Sequence, residues 1–473
     1  MNEAAPWDVI VVGAGTAGIP AAVCAAERGA RVLLLDHAGQ IGGALHMSGG
    51  QLSAAGTRLQ AARGIADSPD AHFDDVMRIT GGKADPAMVR RAVTLAPDTL
   101  HWLLDNGFEA DPATPAIFHG HEAYRVARTY WGPDRGFSVM RTLARLLDGA
   151  TAQGGVTLRL GTAVEKLLQG PNGAILGVRA RSREGQDADI QGANVVLATG
   201  GYAASAEFFA RVTPGVAHFP WAYAHNQGIG HRMALDAGAV IRNADKFLPQ
   251  FGGVQDPRGG RDVTFLTETT PQHRLPWEIY VNTDGDRFVA EDEPSMDLRE
   301  RTLLAQPAMT FWTIYDQRAV QEGPPLFARL TPAEVEQAFR ERHPSFVRAD
   351  SLTALATAAG IPADRLAATV QAYNDGVATG KDPLGRRHLP LPIERAPFYA
   401  VRHHGVTIVS FAGLAVDNDL RVLDRAGKPM PGLYAAGEIL GFAAFSGAAF
   451  AGGMSVTPAL SFGRLLGQCI LRW

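Results

Sequence analysis

Trp7-Asp8-Val9-Ile10-Val11-Val12-Gly13-Ala14-Gly15-Thr16-Ala17-Gly18 decides the fold of this chain. A polar opener runs into four β-branched residues, Val9 to Val12, the composition of a parallel strand buried on both faces. The strand breaks at the glycines, and an alanine-rich run from Ile19 to Arg28 predicts a helix. A second strand, Arg31-Val32-Leu33-Leu34-Leu35, ends in Asp36, 18 residues past Gly18. Strand, glycine turn, helix, strand and acid in that order form a dinucleotide-binding unit. Gly13, Gly15 and Gly18, with Ala17 in the same turn, allow a tight bend and close approach to a pyrophosphate. The helix N-terminus faces the negative charge, and Asp36 holds a ribose hydroxyl.

Beyond the acid the chain points to FAD rather than NAD. Gly42-Gly43 and Gly49-Gly50 bracket Ala44-Leu45-His46-Met47-Ser48. A second glycine-rich loop suits a cofactor that continues past the pyrophosphate to a ribitol and a flavin. The apolar strand Ala193 to Ala198 then breaks into Thr199-Gly200-Gly201, where backbone can again pass close to the cofactor. Near the end, a strand closing at Glu438 is followed by Gly452-Gly453-Met454-Ser455-Val456 and a new helix. That helix start suits negative charge on the N1 and O2 edge of a reduced flavin. Val164 completes the expected cofactor contacts. No other strand, glycine fingerprint and helix occur in sequence, so direct use of NAD(P)H is not expected.

The whole composition is that of a globular enzyme. The 473 residues suffice for two or three domains, with 46% hydrophobic and 19% charged residues. A net charge of −4 and a pI of about 6.4 give no footprint for nucleic acid or an anionic membrane. Cys24 and Cys469 lack metal spacing, and Cys24 reads as a buried thiol on the first helix. His119 and His121 flank Gly120 with no third ligand near, so no metal site is expected. No charged segment precedes an apolar one ahead of Trp7, which predicts a cytoplasmic protein without a signal peptide. Residues 439 to 463 carry no formal charge, but their glycines, Pro458, Ser446, Ser455 and Thr457 predict a flavin shelf rather than a membrane span.

These segments resemble the soluble flavoproteins of the fumarate reductase and succinate dehydrogenase superfamily over nearly the whole chain. The resemblance includes Gly228-Ile229-Gly230-His231-Arg232-Met233-Ala234 and Ile279-Tyr280-Val281-Asn282-Thr283-Asp284-Gly285-Asp286-Arg287-Phe288-Val289-Ala290-Glu291. It implies an α/β fold: a Rossmann-like FAD-binding domain with an inserted α+β cap. The expected boundaries are 1–245 for the first FAD-binding part, 246–405 for the cap and 406–473 for the second part. In the cap, Thr331 to Arg342 and residues 363 to 378 read as helices, the latter with Leu366, Val370 and Tyr373 on one face. The substrate would lie between cap and flavin. Some members of the superfamily attach FAD covalently through a histidine; His46 stands three residues before Gly49, which is not that spacing, so the FAD is expected to be non-covalent.

The substrate side departs from the fumarate reductases. Where they carry His-Thr, this chain has Val409-Ser410; where they carry an arginine before Leu-Gly-Gly, it has Ala449-Phe450-Ala451-Gly452-Gly453. After Glu291 no arginine follows until Arg299. Bidentate reading of a carboxylate needs guanidinium donors, and burying one against Phe450 is costly. The last stretch is more similar to the 3-ketosteroid dehydrogenases, cyclic-ketone desaturases and tricarballylate dehydrogenases. In those a tyrosine stands where Phe450 stands here, and its hydroxyl with a backbone amide holds a carbonyl; the amides near Met454 would remain.

The resemblance therefore implies an FAD-dependent oxidoreductase acting on CH–CH bonds, desaturating an apolar, cyclic carbonyl compound or reducing its alkene. A base removes the proton α to the carbonyl and hydride leaves the β carbon for flavin N5. Trp131, Phe411, Phe442, Phe445, Phe450 and Met454 are the expected pocket. Tyr130 and His404 are the acid/base candidates, and Arg128 is a carbonyl or carboxylate clamp. Two alternatives stand beside this: a tricarballylate-type acid dehydrogenase anchored by Arg128 or Arg299, and a non-enzymatic flavin electron-transfer subunit. The expected partners are a small-molecule substrate and an electron partner that is oxygen, a quinone or a protein, with neither nucleic acid nor a membrane span.

Overall fold

Glycine at position 13 is where the first strand must turn, and the backbone there leaves no room for a side chain. In the computed structural model, which describes residues 6–259 and 263–472, Gly13 has φ +108° and its missing Cβ would lie 2.2 Å from the carbonyl oxygen of Ala198. Strand β1 (Trp7–Val12) and strand β2 (Val32–Leu35), joined through helix α1 (Gly18–Glu27), pair in parallel as Val9 with Val32 to Val12 with Leu35. Helix α2 (Gly136–Ala152) leads to β3 (Val156–Arg159), which pairs with β2. On the other side of β1 lies β4 (Asp187–Leu197).

The second body of the chain is antiparallel. Strand β5 (Gln250–Gln255), helix α3 (Met296–Leu304), strand β6 (Thr310–Asp316) and strand β7 (Phe398–Val406) belong to it. Its six-stranded sheet runs Val263–Thr264, β5, β7, β6, Ile279–Asn282, with Phe346–Ala349 also on β7. Arg287 and Arg386 both bond the buried carboxylate of Glu291, and Arg287 also bonds Asp382. The segment Arg287 to Glu291 thus ties a sheet edge to the loop around residue 382. Helices Pro332–Arg340 and Ala363–Thr379 form where the pattern predicts them, and Leu366, Val370 and Tyr373 are buried.

The chain then returns. Strand β8 (Pro429–Ala435) pairs in parallel with β4, completing the sheet order Arg421–Leu423, β8, β4, β1, β2, β3; an antiparallel hairpin, Ala163–Gln169 and Ile175–Arg181, extends from β4. The last helix, α4 (Val456–Cys469), packs on α1 with backbone nearly touching: a Cβ on Gly463 would lie 2.1 Å from the carbonyl oxygen of Ala17. The apolar faces of α1, α4 and the parallel sheet make one core, in which Cys24 is buried and its thiol pushed up to about 12 by desolvation. No helix among the described residues is long and apolar enough to cross a membrane, and residues 439 to 463 are a loop, short helical turns and the start of α4.

Candidate functional site

The carboxyl ends of β1, β2, β4 and β8 open onto one long cleft, the usual place for a ligand in an open α/β sheet. Its wall includes Gly13, Gly15 and Ala17 of the turn, Asp36, Gly43, Ser48, Val164, Thr199, Gly200, Glu438, Ser455 and Val456. Asp36 accepts hydrogen bonds from the backbone amides of Ala14 (2.6 Å) and Ala38 (2.7 Å), which fixes its carboxylate at the end of β2. Burial raises its pKa against those two amides. Each oxygen keeps a lone pair for a hydroxyl.

At the other end of the cleft, Ser455 and Val456 begin α4 and no side chain caps the helix; the Thr457 amide bonds the Gly453 carbonyl and Pro458 has no N–H, so the helix start offers a ligand the Val456 amide. Glu438 is set behind this end. Its carboxylate accepts from the amide and hydroxyl of Ser410, both at 2.9 Å, and from the Asn226 side chain at 3.0 Å. Burial pushes its pKa up. The cradle therefore fits FAD: a glycine turn that admits backbone only, a fixed acid for a ribose, and an uncapped helix start for the far end.

Six expected cofactor residues act one layer back from this wall. Gly18 packs on Gly13, Gly42 on Met140, Gly50 on Arg135 and Gly201 on Ser410 and Glu438, while Gly49 meets the Gln51 side chain and Gly453 meets Ser53. Tyr223, His225 and Asn226, not foreseen, line the cleft, and His225 sets its ring edge-on to His37 at 5.1 Å beside Asp36. Their signal was the run His225-Asn226-Gln227-Gly228 directly ahead of the Gly228 to Ala234 segment. His46 places Nε2 at 2.9 Å from the carbonyl oxygen of Ile41 and stacks on Tyr223.

At the loop leading into α4 the structure gathers an aromatic wall. Phe411 meets Phe442 and Phe450 with centroids 5.6 Å apart in each pair, and Phe442 meets Phe450 at 5.5 Å. Trp131 reaches the same wall through Phe118, and Met454 is buried beside the Ser53 hydroxyl. Phe445 turns instead to Phe462 of α4, and Phe411, Phe442, Phe445 and Phe450 are all buried in the same core. Of the amides near Met454, its own is committed to the carbonyl of Ala451 and that of Ala451 to the Ser446 hydroxyl.

Three polar expectations need correction. Arg128 is fully buried and its guanidinium is spent on Asp67 (3.0 and 2.9 Å), Asp75 (3.2 Å) and the Ala71 carbonyl; it does not clamp a substrate. Tyr130 is equally buried, with its hydroxyl 2.6 Å from Thr57 Oγ1 and its phenol pushed up to about 12 by desolvation, so it does not serve as acid or base. His404 sits on β7 with Nδ1 at 3.0 Å from the Thr310 hydroxyl and its ring stacked 4.0 Å from Phe219. Burial pushes it down to about 3, which leaves a weak base.

Arg299 is the unusual cation. It is fully buried on α3, its guanidinium carbon 4.3 Å from the ring centroid of Phe251, and Nε and one terminal nitrogen have no partner. Among the described residues no carboxylate stands within ion-pair distance of it.

Residues 8–456 match the family described as FAD binding domain. The chain is 30% identical to the probable fumarate reductase Ifc3 of Shewanella frigidimarina (strain NCIMB 400), over 97% of this chain and 74% of that protein. It is 27% identical to 4-oxocyclohexanecarboxylate 2-dehydrogenase of Sinomonas cyclohexanicum, over 98% and 92% respectively. Its fold matches the solved structure of 3-ketosteroid delta1-dehydrogenase from Sterolibacterium denitrificans in complex with 1,4-androstadiene-3,17-dione. The TM-score is 0.79 at 22% identity, covering 98% of this chain and 99% of that one.

Proposed function

The chain belongs to the FAD binding domain family, among the fumarate reductase flavoproteins, and is an FAD-dependent oxidoreductase acting on CH–CH bonds; we propose that its substrate is an apolar, cyclic carbonyl compound that is desaturated next to the carbonyl, or reduced there in reverse. The observation that carries this reading is the wall of Phe411, Phe442 and Phe450 at the loop leading into α4. A flat apolar ring loses little by leaving water for such a wall, whereas a dicarboxylate would lose much. The polar groups of a dicarboxylate site have no counterpart at Val409 and Phe450, and Ser410 is spent on Glu438. The 4-oxocyclohexanecarboxylate dehydrogenase supports a cyclic ketone in this family.

Bound FAD supplies a two-electron sink or source for hydride. The protein's own part is to exclude water, hold the ring against the aromatic wall, and stabilise charge on the carbonyl oxygen while the α proton is removed. We also infer non-covalent FAD, because the His46 ring is engaged with the Ile41 carbonyl and Tyr223. Yellow colour left in an acid-precipitated pellet would overturn that.

One observation favours a second reading, a carboxylated substrate: Arg299, buried with two unpartnered donor positions. A carboxylate would have to displace Phe251 to reach it, so the apolar reading stands first. The test is anaerobic bleaching of the flavin band by cyclohexanone, 4-methylcyclohexanone and 4-oxocyclohexanecarboxylate, with 2-cyclohexenone as reoxidant of reduced enzyme. Bleaching by the uncharged ketones supports the first reading. Bleaching by the carboxylate alone, lost in Arg299→Ala, supports the second.

A further inference from the structure

The ring of Phe450 carries no hydroxyl, yet one polar ring lies flat upon it. His121 stacks on Phe450 with centroids 5.2 Å apart and planes 14° from parallel. Its Nδ1 is buried without a hydrogen-bond partner, while the side chain keeps part of its surface accessible. An imidazole left this way inside an aromatic wall carries an unmet polar demand, which is costly unless a ligand meets it.

The segment that bears His121 is firmly placed. Glu122 bridges Ala451 in parallel, and the Tyr124 hydroxyl donates to the carbonyl of Gly452 at 2.6 Å. Phe118 meets the His121 ring edge-on at 5.5 Å. On its other side the Glu122 carboxylate accepts from the Ser295 hydroxyl at 2.9 Å, at the start of α3. His121 thus stands where the loop into α4 and the antiparallel body meet. This is the place the cyclic-ketone reading assigns to substrate.

We propose that His121 is a catalytic residue that donates a ring N–H to the carbonyl oxygen of the substrate, supplying from the face of Phe450 the donor that its ring lacks. The assignment rests on the proposed function above. The Met454 amide is already bonded to Ala451, so it does not supply that donor. As a general base takes up the α proton, negative charge collects on that oxygen and the N–H bond to it strengthens; the His121 ring keeps its own proton throughout. Desolvation pushes His121 down to about 4, so at neutral pH it is a neutral donor and brings no positive charge into the apolar wall. A neutral imidazole is a competent hydrogen-bond donor to a developing enolate.

The test compares wild type, His121→Phe and His121→Gln as FAD-loaded holoenzymes. The reduced proteins are reoxidised anaerobically with 2-cyclohexenone, and the infrared carbonyl stretch of 2-cyclohexenone bound to the oxidised proteins is recorded. His121→Phe keeps the aromatic stack; it is expected to retain FAD, slow reoxidation about 100-fold, the scale of losing one oxyanion donor, and return the carbonyl stretch toward its unbonded value. His121→Gln restores a donor and recovers part of both. An equal rate and an unchanged carbonyl stretch in His121→Phe overturn the assignment alone. A wild-type enzyme inert to every ketone and enone overturns the cyclic-ketone reading, and the assignment with it.

Discussion

Arg128 and Asp67 face each other with both side chains fully buried, Nε and one terminal nitrogen of the guanidinium each bonded to one carboxylate oxygen at 3.0 and 2.9 Å. Asp75 adds a second carboxylate at 3.2 Å. This triad pins the segment before Thr129–Tyr130 to the helix Pro69–Ile79. Removing one partner leaves a buried charge uncompensated, which costs about 3–5 kcal/mol. Arg128→Ala should therefore lower the melting temperature strongly. Its KM, measured at low temperature where the protein stays folded, should remain at the wild-type value. A raised KM with unchanged melting would return Arg128 to the substrate.

Gly13→Ala should abolish flavin binding. The added methyl would meet the Ala198 carbonyl oxygen at 2.2 Å on a backbone at φ +108°, so both space and conformation oppose it. The strand end and the glycine turn must then shift. The check is the flavin absorbance that co-purifies with the variant, expected to be absent.

Acid should unfold the protein well above the range where carboxylates titrate. Burial pushes His121, His231 and His403 down to about 4, His404 to about 3, and His72 also down. The unfolded chain holds these rings at the ordinary value near 6.5, so below that pH it binds more protons than the folded one. The stability these rings contribute is complete above about pH 6.5 and is lost as pH falls from there toward 4. Each ring contributes up to about 1.4 kcal/mol per pH unit in that window. Melting temperatures at pH 7, 6 and 5 should fall progressively, and a flat profile would contradict the neutral buried state. His231, without exposure and packed against Tyr202 and Phe208, is the ring to replace first: His231→Phe should flatten the slope.

Phe450→Tyr should rescue His121→Phe. The new hydroxyl lies on the ring that His121 covers and restores a donor within the same wall. A recovery of about tenfold in 2-cyclohexenone reduction, equivalent to about 1.4 kcal/mol, is expected in the double variant. No recovery, with FAD still bound, would place the carbonyl oxygen elsewhere.

The cofactor half was legible because its signals are local. Strand, turn, helix and acid lie within residues 7 to 36, and the glycines announce the places where the backbone must come close. The polar residues were misread for the opposite reason. Arg128 and Tyr130 stand in a segment that borders the cleft, but their partners, Asp67, Asp75 and Thr57, come from distant turns whose packing no short pattern reveals. Asp67, Ala71 and Asp75, spaced by four ahead of and along a Ser68-capped helix, were the available hint that a cation must dock there. His121 was weighed only as a metal ligand, because its stacking partner Phe450 belongs to the far end of the chain. The segment Arg287 to Glu291, conspicuous as a motif, proves to be an ion-paired brace of the antiparallel sheet.

The contact of Gly463 with Ala17 bears on how the molecule is made. The glycine turn at residues 13 to 18 leaves the ribosome well before Ser455, Val456 and Ala459, which wall the same cleft. At about 5–20 residues per second, roughly half a minute or more separates them. During that interval α1 has no α4 against it, and its apolar face waits for a partner. Flavin capture therefore waits until residue 456 has emerged, and a chain halted before it would be colourless.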